Sequence, residues 1–230
     1  MSIIINAAPN IQFHNNNSLL LDGTNDHMQI DGIVNDVSVT TGTFSAWVKK
    51  DATSSNDQII KFDADSSNHI SVIYINSSQV IRFSHKAGGT SKTIDAAFAY
   101  EGNDTWYHIC QTWDADTSEL KGYINGVQQG STAEGLGEWE GTADAADVGK
   151  NSVSDNSYWT GHIDQVSVFA EVVSATTLYN GGTPGNLTGM SGLKAWYQFN
   201  EGSGTSIADS SGTGNTGTLV NGAAFNTDTP

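Results

Sequence analysis

Residues 106–127, WYHICQTWDADTSELKGYINGV, decide the fold because they spell two strands and two turns with little ambiguity. The run 106–113 is dense in aromatic and β-favouring side chains, 114–118 is a polar turn, and 120–125 resumes strand composition. Asn125-Gly126 follows, the pair that most readily takes two consecutive positive φ angles, which predicts a tight type I′ hairpin. A β meander therefore sits at the middle of the chain. Elsewhere GTFSAWVKK (42–50) alternates, with Phe44, Ala46 and Val48 on one face and Ser45, Trp47 and Lys49 on the other. The segments 58–62, 69–75 and 80–85 have strand composition and are separated by Asp, Ser and Asn turns.

With 230 residues and 37% hydrophobic content the chain can bury a sizeable core, and all-β sandwiches of this length are commonly single domains. Nine Lys plus Arg stand against 25 Asp plus Glu, a formal charge of −16. Such a surface repels phosphate backbones and anionic membranes, so neither nucleic acid nor membrane insertion is expected, whereas cations suit it. Cys110 has no partner for an intrachain disulfide and lies in a predicted strand, where a thiol acts as a small hydrophobe. No run of about 18 apolar residues is present. MSIIINAAPN lacks the basic start of a secretory signal peptide, the first Lys or Arg being Lys49.

Several stretches resemble one family. SLLLDGTNDHMQIDG (18–32), GTFSAWVKK, the central meander, DVGKN (147–151) and YWTGHIDQVSVF (158–169), with its Gly-x-Ile-Asp, are similar to the signatures of laminin-G-like jelly rolls in the concanavalin A-like lectin and glucanase superfamily. The resemblance implies an all-β fold of two packed antiparallel sheets with at most one short helix, the latter at SATTLYN with Ser174 as N-cap and Gly181 as stop. Counting segments gives about a dozen strands, with 130–147 as a Gly-, Glu- and Asp-rich loop. Residues 1–17 read as an N-terminal arm, 18–225 as one domain and 226–230 as a tail. GLKAWYQFNEGSGTSIADSSGTGNTGTLVNGAAF (192–225) resembles a segment that in many relatives precedes the opening strand. Here it comes last, so 187–225 is expected to complete the same sandwich, the alternative being the start of a second repeat. Residues 180–188 and 214–230 are similar to modules of marine phage particles, which implies a virion or extracellular setting.

For catalysis, glycosidases of this superfamily carry Glu-x-Asp-x-x-Glu, which sets carboxylates at alternating strand positions, and that signature is absent; Glu138 and Glu140 of EWEGTAD could share a face but sit in a Gly-rich loop. There is no Gly-x-Ser-x-Gly elbow, the six His are scattered, and His162 reads as structural. No enzyme is expected. No Cys/His zinc spacing exists, but calcium takes oxygens, and Asp22, Asn25 and Asp26 form one oxygen-rich turn. The resemblance implies that this turn and Asp164 can meet at a calcium ion, with the Gly23 carbonyl assisting; the plainer alternative is Asx turns and an Asp164 bonded to backbone. Asp63 with Asp65, Asp114 with Asp116, and Asp209 with Asn215 are weaker oxygen clusters.

A sugar site in a β sandwich needs an aromatic platform with polar groups beside it. Trp139, and Tyr158 with Trp159 beside Asp155 and Asn156, fit that requirement, unless Trp159 packs in the core and Trp139 pins its loop. Trp47, Trp106, Trp113 and Trp196 sit in strong strands and read as core. The function expected is a non-catalytic module binding a glycan or cell-surface ligand, with possible structural calcium; the alternatives are a virion assembly domain contacting other virion subunits, and a glycoside hydrolase.

Overall fold

The computed structural model describes residues 13–51, 56–98, 104–139, 141–154 and 156–230. Its first half carries β1 (Ser18–Asp22), β2 (His27–Gln29), β3 (Thr41–Lys50), β4 (Asp57–Asp65), β5 (Asn68–Ile75), β6 (Val80–Ala87), β7 (Thr90–Ala97) and β8 (Tyr107–Asp114). The second half carries β9 (Glu119–Ile124), β10 (Val127–Glu134), β11 (Ala145–Val148), β12 (Thr160–Phe169), α1 (Ala175–Tyr179), β13 (Leu193–Tyr197), β14 (Ser206–Ile207), β15 (Gly217–Val220) and β16 (Ala224–Asn226). These form two antiparallel sheets of eight strands each. The first runs β10-β9-β8-β3-β12-β1-β16 with β13 also on β12, and the second runs β14-β15-β2-β11-β4-β5-β6-β7. The chain is thus the expected two-sheet β sandwich.

The meander is β8-β9-β10, and its turn holds Asn125 at φ 50 and Gly126 at φ 75, as a type I′ turn requires. The loop expected over 130–147 is shorter. Beyond a register shift Ala133 and Glu134 still pair with Leu120 and Glu119, and Ala145 to Val148 pair with β4. Strand pairing with distant partners overrides the loop-like composition there.

Alternation fills the space between the sheets: Phe44, Ala46 and Val48 from β3 and Ile109 from β8 face Phe62, Ile70, Val72, Ile81 and Phe83 from the other sheet. Phe83 sits directly on Gly122 of β9, where a Cβ would lie 2.2 Å from its ring, so glycine sets how closely the sheets approach. Trp113 and Trp159 are completely buried in this core. Each buries on the order of 200 Å² at ~25 cal/mol/Å², about 5 kcal/mol of transfer free energy.

The outer face of the first sheet is covered as well. Cys110, Phe169, Leu178, Leu187, Leu193 and Trp196 form a second apolar cluster beneath the segment that carries α1. Trp47 stacks on Tyr179 of that segment at 5.8 Å. The helix ends at Asn180, which takes the left-handed conformation (φ 49) one residue before the expected Gly181. Trp106 departs from expectation: it is half-buried on this outer side, and its indole N–H donates to Asp228 at 2.9 Å.

The segment after Leu193 supplies strands to both sheets: β13 lies on β12, β16 on β1, and β15 on β2 with β14 beside it. Among the described residues there are sixteen strands where about a dozen were expected, in part because β14 and β16 are short strands that composition does not announce. The outer face of the first sheet is thus covered around β3, β12 and β13, while the outer face of the second sheet carries a row of polar side chains.

Candidate functional site

That face is organised by register. Residues directly opposite across antiparallel strands share a face, so one transverse row can be followed from strand to strand. It reads Ser206, Thr218, Gln29, Asp147, Lys61, Ser71, Ser84, Thr93, one residue from each of the eight strands. Every member is polar, and six of the eight are uncharged hydroxyls or amides. At ~4.8 Å per strand the row spans about 34 Å. Asp147, Lys61, Ser71 and Ser84 at its middle are 5–8% exposed, while Ser206, Thr218, Gln29 and Thr93 near its ends are open. The side chains at the middle of the row are shielded by their neighbours, and those toward its ends face solvent.

A groove of 380 Å³ on this face is lined by Lys61, Ser71, Ser84 and Thr93 from this row and by Gln58, His69, Ile73, Ile75, Arg82, Ser91 and Asn151 on either side. Ile73 and Ile75 give it an apolar strip; the rest is hydroxyl, amide and base. The Gln58 amide is fixed by donating to the carbonyls of Ile60 at 2.6 Å and Val72 at 2.8 Å. Lys61 pairs with Asp63 and donates to Asn151 Oδ1 at 3.2 Å. Burial pushes the Asp63 carboxyl up against the lowering effect of Lys61. Arg82 forks onto Asp95 at 2.7 and 2.8 Å, and that bond holds the Asp95 carboxyl below the usual range. Burial, then the charges of Lys61 and Lys86, lowers His69 from 6.5 to about 4, so its imidazole is neutral at physiological pH. This surface can hydrogen-bond a polyhydroxylated ligand along its length.

None of these groove residues was singled out from sequence. The period-2 pattern of HISVIYI and VIRFSHKA does mark His69, Ser71, Arg82 and Ser84 as facing away from the core. Only the tertiary structure shows that these outward positions line a groove.

The expected ion site is not assembled. Asp22 lies opposite Thr160, whereas Asp164 is four residues further along β12, about 13 Å away on the strand repeat. Asp164 is wholly buried, accepts from Asn15 Nδ2 at 2.8 Å and from the Gln165 N–H at 2.7 Å, and burial raises its carboxyl well above the ordinary value. Hydrogen bonds, the plainer alternative, account for it. The turn's own oxygens are engaged: Asp22 Oδ1 accepts from Thr24 N, Asp26 Oδ1 from Gly222 N and the Asn25 carbonyl from Asn221 Nδ2. Gly23 is required by φ 77 and by Thr160, whose Oγ1 would sit 2.0 Å from a Cβ. Asp22, Gly23, Asn25, Asp26 and Asp164 therefore do not fit one shared ion. Among the described residues no group of three His, Cys, Asp or Glu could hold a metal.

The aromatic candidates are also separated. Trp159 is a core residue with no exposure, under Lys50 Nζ at 4.6 Å, and offers no platform. Tyr158 is half-buried against His27 at 6.2 Å. The Asn156 amide oxygen accepts from Ser154 and Ser157 hydroxyls and so holds its own turn. Asp155 and Glu140 lie outside the described residues. Trp139 is half-buried, edge-on to His85 at 6.2 Å, and lines a pocket of 290 Å³ with Val39, Thr40, Ala115 and Leu136. That pocket adjoins the Thr41 end of β3, whereas Trp159 adjoins the Lys50 end, about 30 Å apart over ten residues. One glycan residue cannot use both.

Solved structures share this architecture. A Bacteroides ovatus protein proposed to bind carbohydrate superposes with a TM-score of 0.67 at 16% identity, over 94% of this chain and 60% of its own length. The CBM40 of the Ruminococcus gnavus IT-sialidase, solved with α2,3-sialyllactose, gives 0.56 at 14% identity over 70% of this chain and 95% of its own. Domains LG4-5 of the mouse laminin α1 chain give 0.53 at 13% identity, over 66% and 40%. The chain thus spans under two thirds of the Bacteroides protein. No curated protein matches it. Residues 22–178 match the laminin-G family model, so this chain belongs to the concanavalin A-like lectin/glucanases superfamily.

Proposed function

We propose that this chain is a non-catalytic carbohydrate-binding module that holds a glycan along the open groove of its second sheet. The row of polar side chains crossing all eight strands carries the reading, since hydroxyls and amides repeating at the strand spacing match the hydroxyl edges of a saccharide. Ile73 and Ile75 supply the apolar patch a pyranose face needs. The groove's lining contains no carboxylate pair, which supports binding without hydrolysis. The carbohydrate-binding assignment of the Bacteroides protein and the sialyllactose on the CBM40 module support the ligand class.

The test is a glycan array followed by calorimetry with wild type and Thr93→Trp, which fills the groove from an exposed, outward-facing position. Wild type is expected to bind at least one oligosaccharide, and Thr93→Trp to weaken it by about tenfold or more without lowering the melting temperature. Silence across the array defeats the reading and favours a virion assembly role, whereas undiminished binding by Thr93→Trp would put the glycan outside this groove and defeat the groove assignment.

A virion or extracellular setting belongs to the same proposal, and it rests on the resemblance of residues 180–188 and 214–230 to phage-particle modules. Calcium is proposed separately and only for the Asp22–Asp26 turn. A rise in melting temperature with calcium, reversed by chelator and absent in Asp26→Asn, would support it, and identical melting curves would remove it.

A further inference from the structure

We infer that the groove selects neutral glycans and rejects acidic ones, because its cations are already committed to counter-ions from this chain. The inference rests on the glycan-binding reading above and names the ligand class of that same site.

Recognition of a carboxylate or sulfate needs a cation whose hydrogen-bond donors are free to turn to the ligand, ideally the fork of an arginine. The groove has two cations in its lining, Lys61 and Arg82. Arg82 presents its fork to Asp95, with Nε at 2.7 Å and Nη2 at 2.8 Å from the two carboxylate oxygens, so the geometry that would clamp a ligand is used within the protein. Lys61 is buried between Asp63 and Asn151, and Asp147 lies directly opposite it on β11. Lys86, in the adjoining row, donates its ammonium to the Ser66 carbonyl at 2.6 Å. His69, the remaining base in the lining, is neutral at physiological pH.

An acidic sugar would therefore find Asp95 on Arg82, with Asp63 and Asp147 buried beside Lys61, and would approach a protein of formal charge −16. Both the local pairing and the long-range field oppose it. A neutral sugar is indifferent to the field and meets the exposed hydroxyls of Ser91 and Thr93, with those of Ser71 and Ser84 deeper in the groove. The fold itself does not forbid acids, since the CBM40 structure contains sialyllactose. The counter-ions of this chain make the difference.

The experiment measures binding of matched neutral and acid-bearing oligosaccharides, lactose and sialyllactose among them, to wild type and to Asp95→Asn at low and high salt. Asp95 is partly exposed at a strand position, so its replacement by the isosteric amide frees Arg82 without opening the core. The inference expects wild type to bind neutral members about tenfold or more tightly than their acidic forms, with little salt dependence. Asp95→Asn is expected to gain roughly fivefold or more for the acidic forms at low salt, and to lose that gain at high salt. Tighter binding of acidic forms by wild type, or an Asp95→Asn variant that rejects acids as before, overturns the inference and leaves the glycan-binding reading standing. If wild type binds neither class, the parent reading itself has failed.

Discussion

Asp209 collects hydrogen bonds from the backbone N–H groups of Trp196, Ser211, Gly214 and Asn215 and from the hydroxyls of Ser211 and Thr213, all between 2.8 and 3.1 Å. Its oxygens serve its own loop, so the cation-holding alternative for DSSGTGN gives way to a carboxylate-centred turn that pins the C-terminal segment to β13. Burial pushes this carboxyl up, but the bonds from Ser211, Trp196 and Thr213 outweigh it and hold it below 3.8. Its contribution is therefore present above the unfolded value and is lost as pH falls through the folded one. Asp209→Ala should lower stability by about 2–3 kcal/mol in urea titrations near neutral pH, the loss narrowing under strongly acid conditions. Buried histidines act at higher pH. Burial holds His108 at about 3 and His69 at about 4, while both take a proton near 6.5 once unfolded. Because the unfolded chain binds more protons between those values, stability should fall as pH drops from 6.5 toward 4, by roughly 1–2 kcal/mol per histidine at pH 5. Melting temperatures across that range in wild type and His108→Gln would show it, the variant giving the shallower slope.

Among elements, β13 to β16 matter most, because they come late in the chain yet sit inside both sheets. Trp196, Tyr197, Phe199, Ile207 and Leu219 from this segment are buried. The Tyr197 hydroxyl donates to the Asn215 carbonyl at 2.6 Å, and Trp196 Nε1 donates to Gln165 Oε1 at 2.8 Å where β12 bulges. Removing residues 192–230 would uncover the edges of β1 and β2 and leave core positions unfilled. Such a truncation should lose cooperative unfolding and bind a hydrophobic dye. A sharp melting transition in the shortened chain would show that these strands decorate the sandwich and are not part of it. In the sequence the aromatic run AWYQF advertised a strand, whereas the partners of β14 and β16, two and three residues long, follow from contacts with β15 and β1 that no local pattern encodes.

At the scale of the molecule, charge is the dominant feature. A formal −16 on 230 residues means that the compact state repels itself, and salt screens that repulsion over about 10 Å at 0.1 M. The melting temperature should therefore rise by a few degrees between low salt and about 0.5 M sodium chloride, since a 1 kcal/mol change moves it by roughly 2–4 °C at this size. A flat response would place the acids too far apart to matter. The same imbalance is what makes the pairing of Lys61 with Asp63 and of Arg82 with Asp95 consequential, since cations are scarce and the groove uses its own internally.

The sequence by itself determined the class of fold, because alternation along strands and turn chemistry at Asn125-Gly126 are local properties read within a few residues. It also determined the charge, and with it the partners the surface repels. Which face binds was decided only in three dimensions. Trp159 and Tyr158 are neighbours in sequence, yet one fills the core and the other stands at its edge. Asp22 and Asp164 belong to recognisable motifs, yet antiparallel register sets them four residues apart. The row from Ser206 to Thr93 joins residues drawn from eight separate strands, and it exists because hydrogen-bond register aligns them. Register is a long-range property, and it turns ordinary outward-facing serines and threonines into a continuous surface.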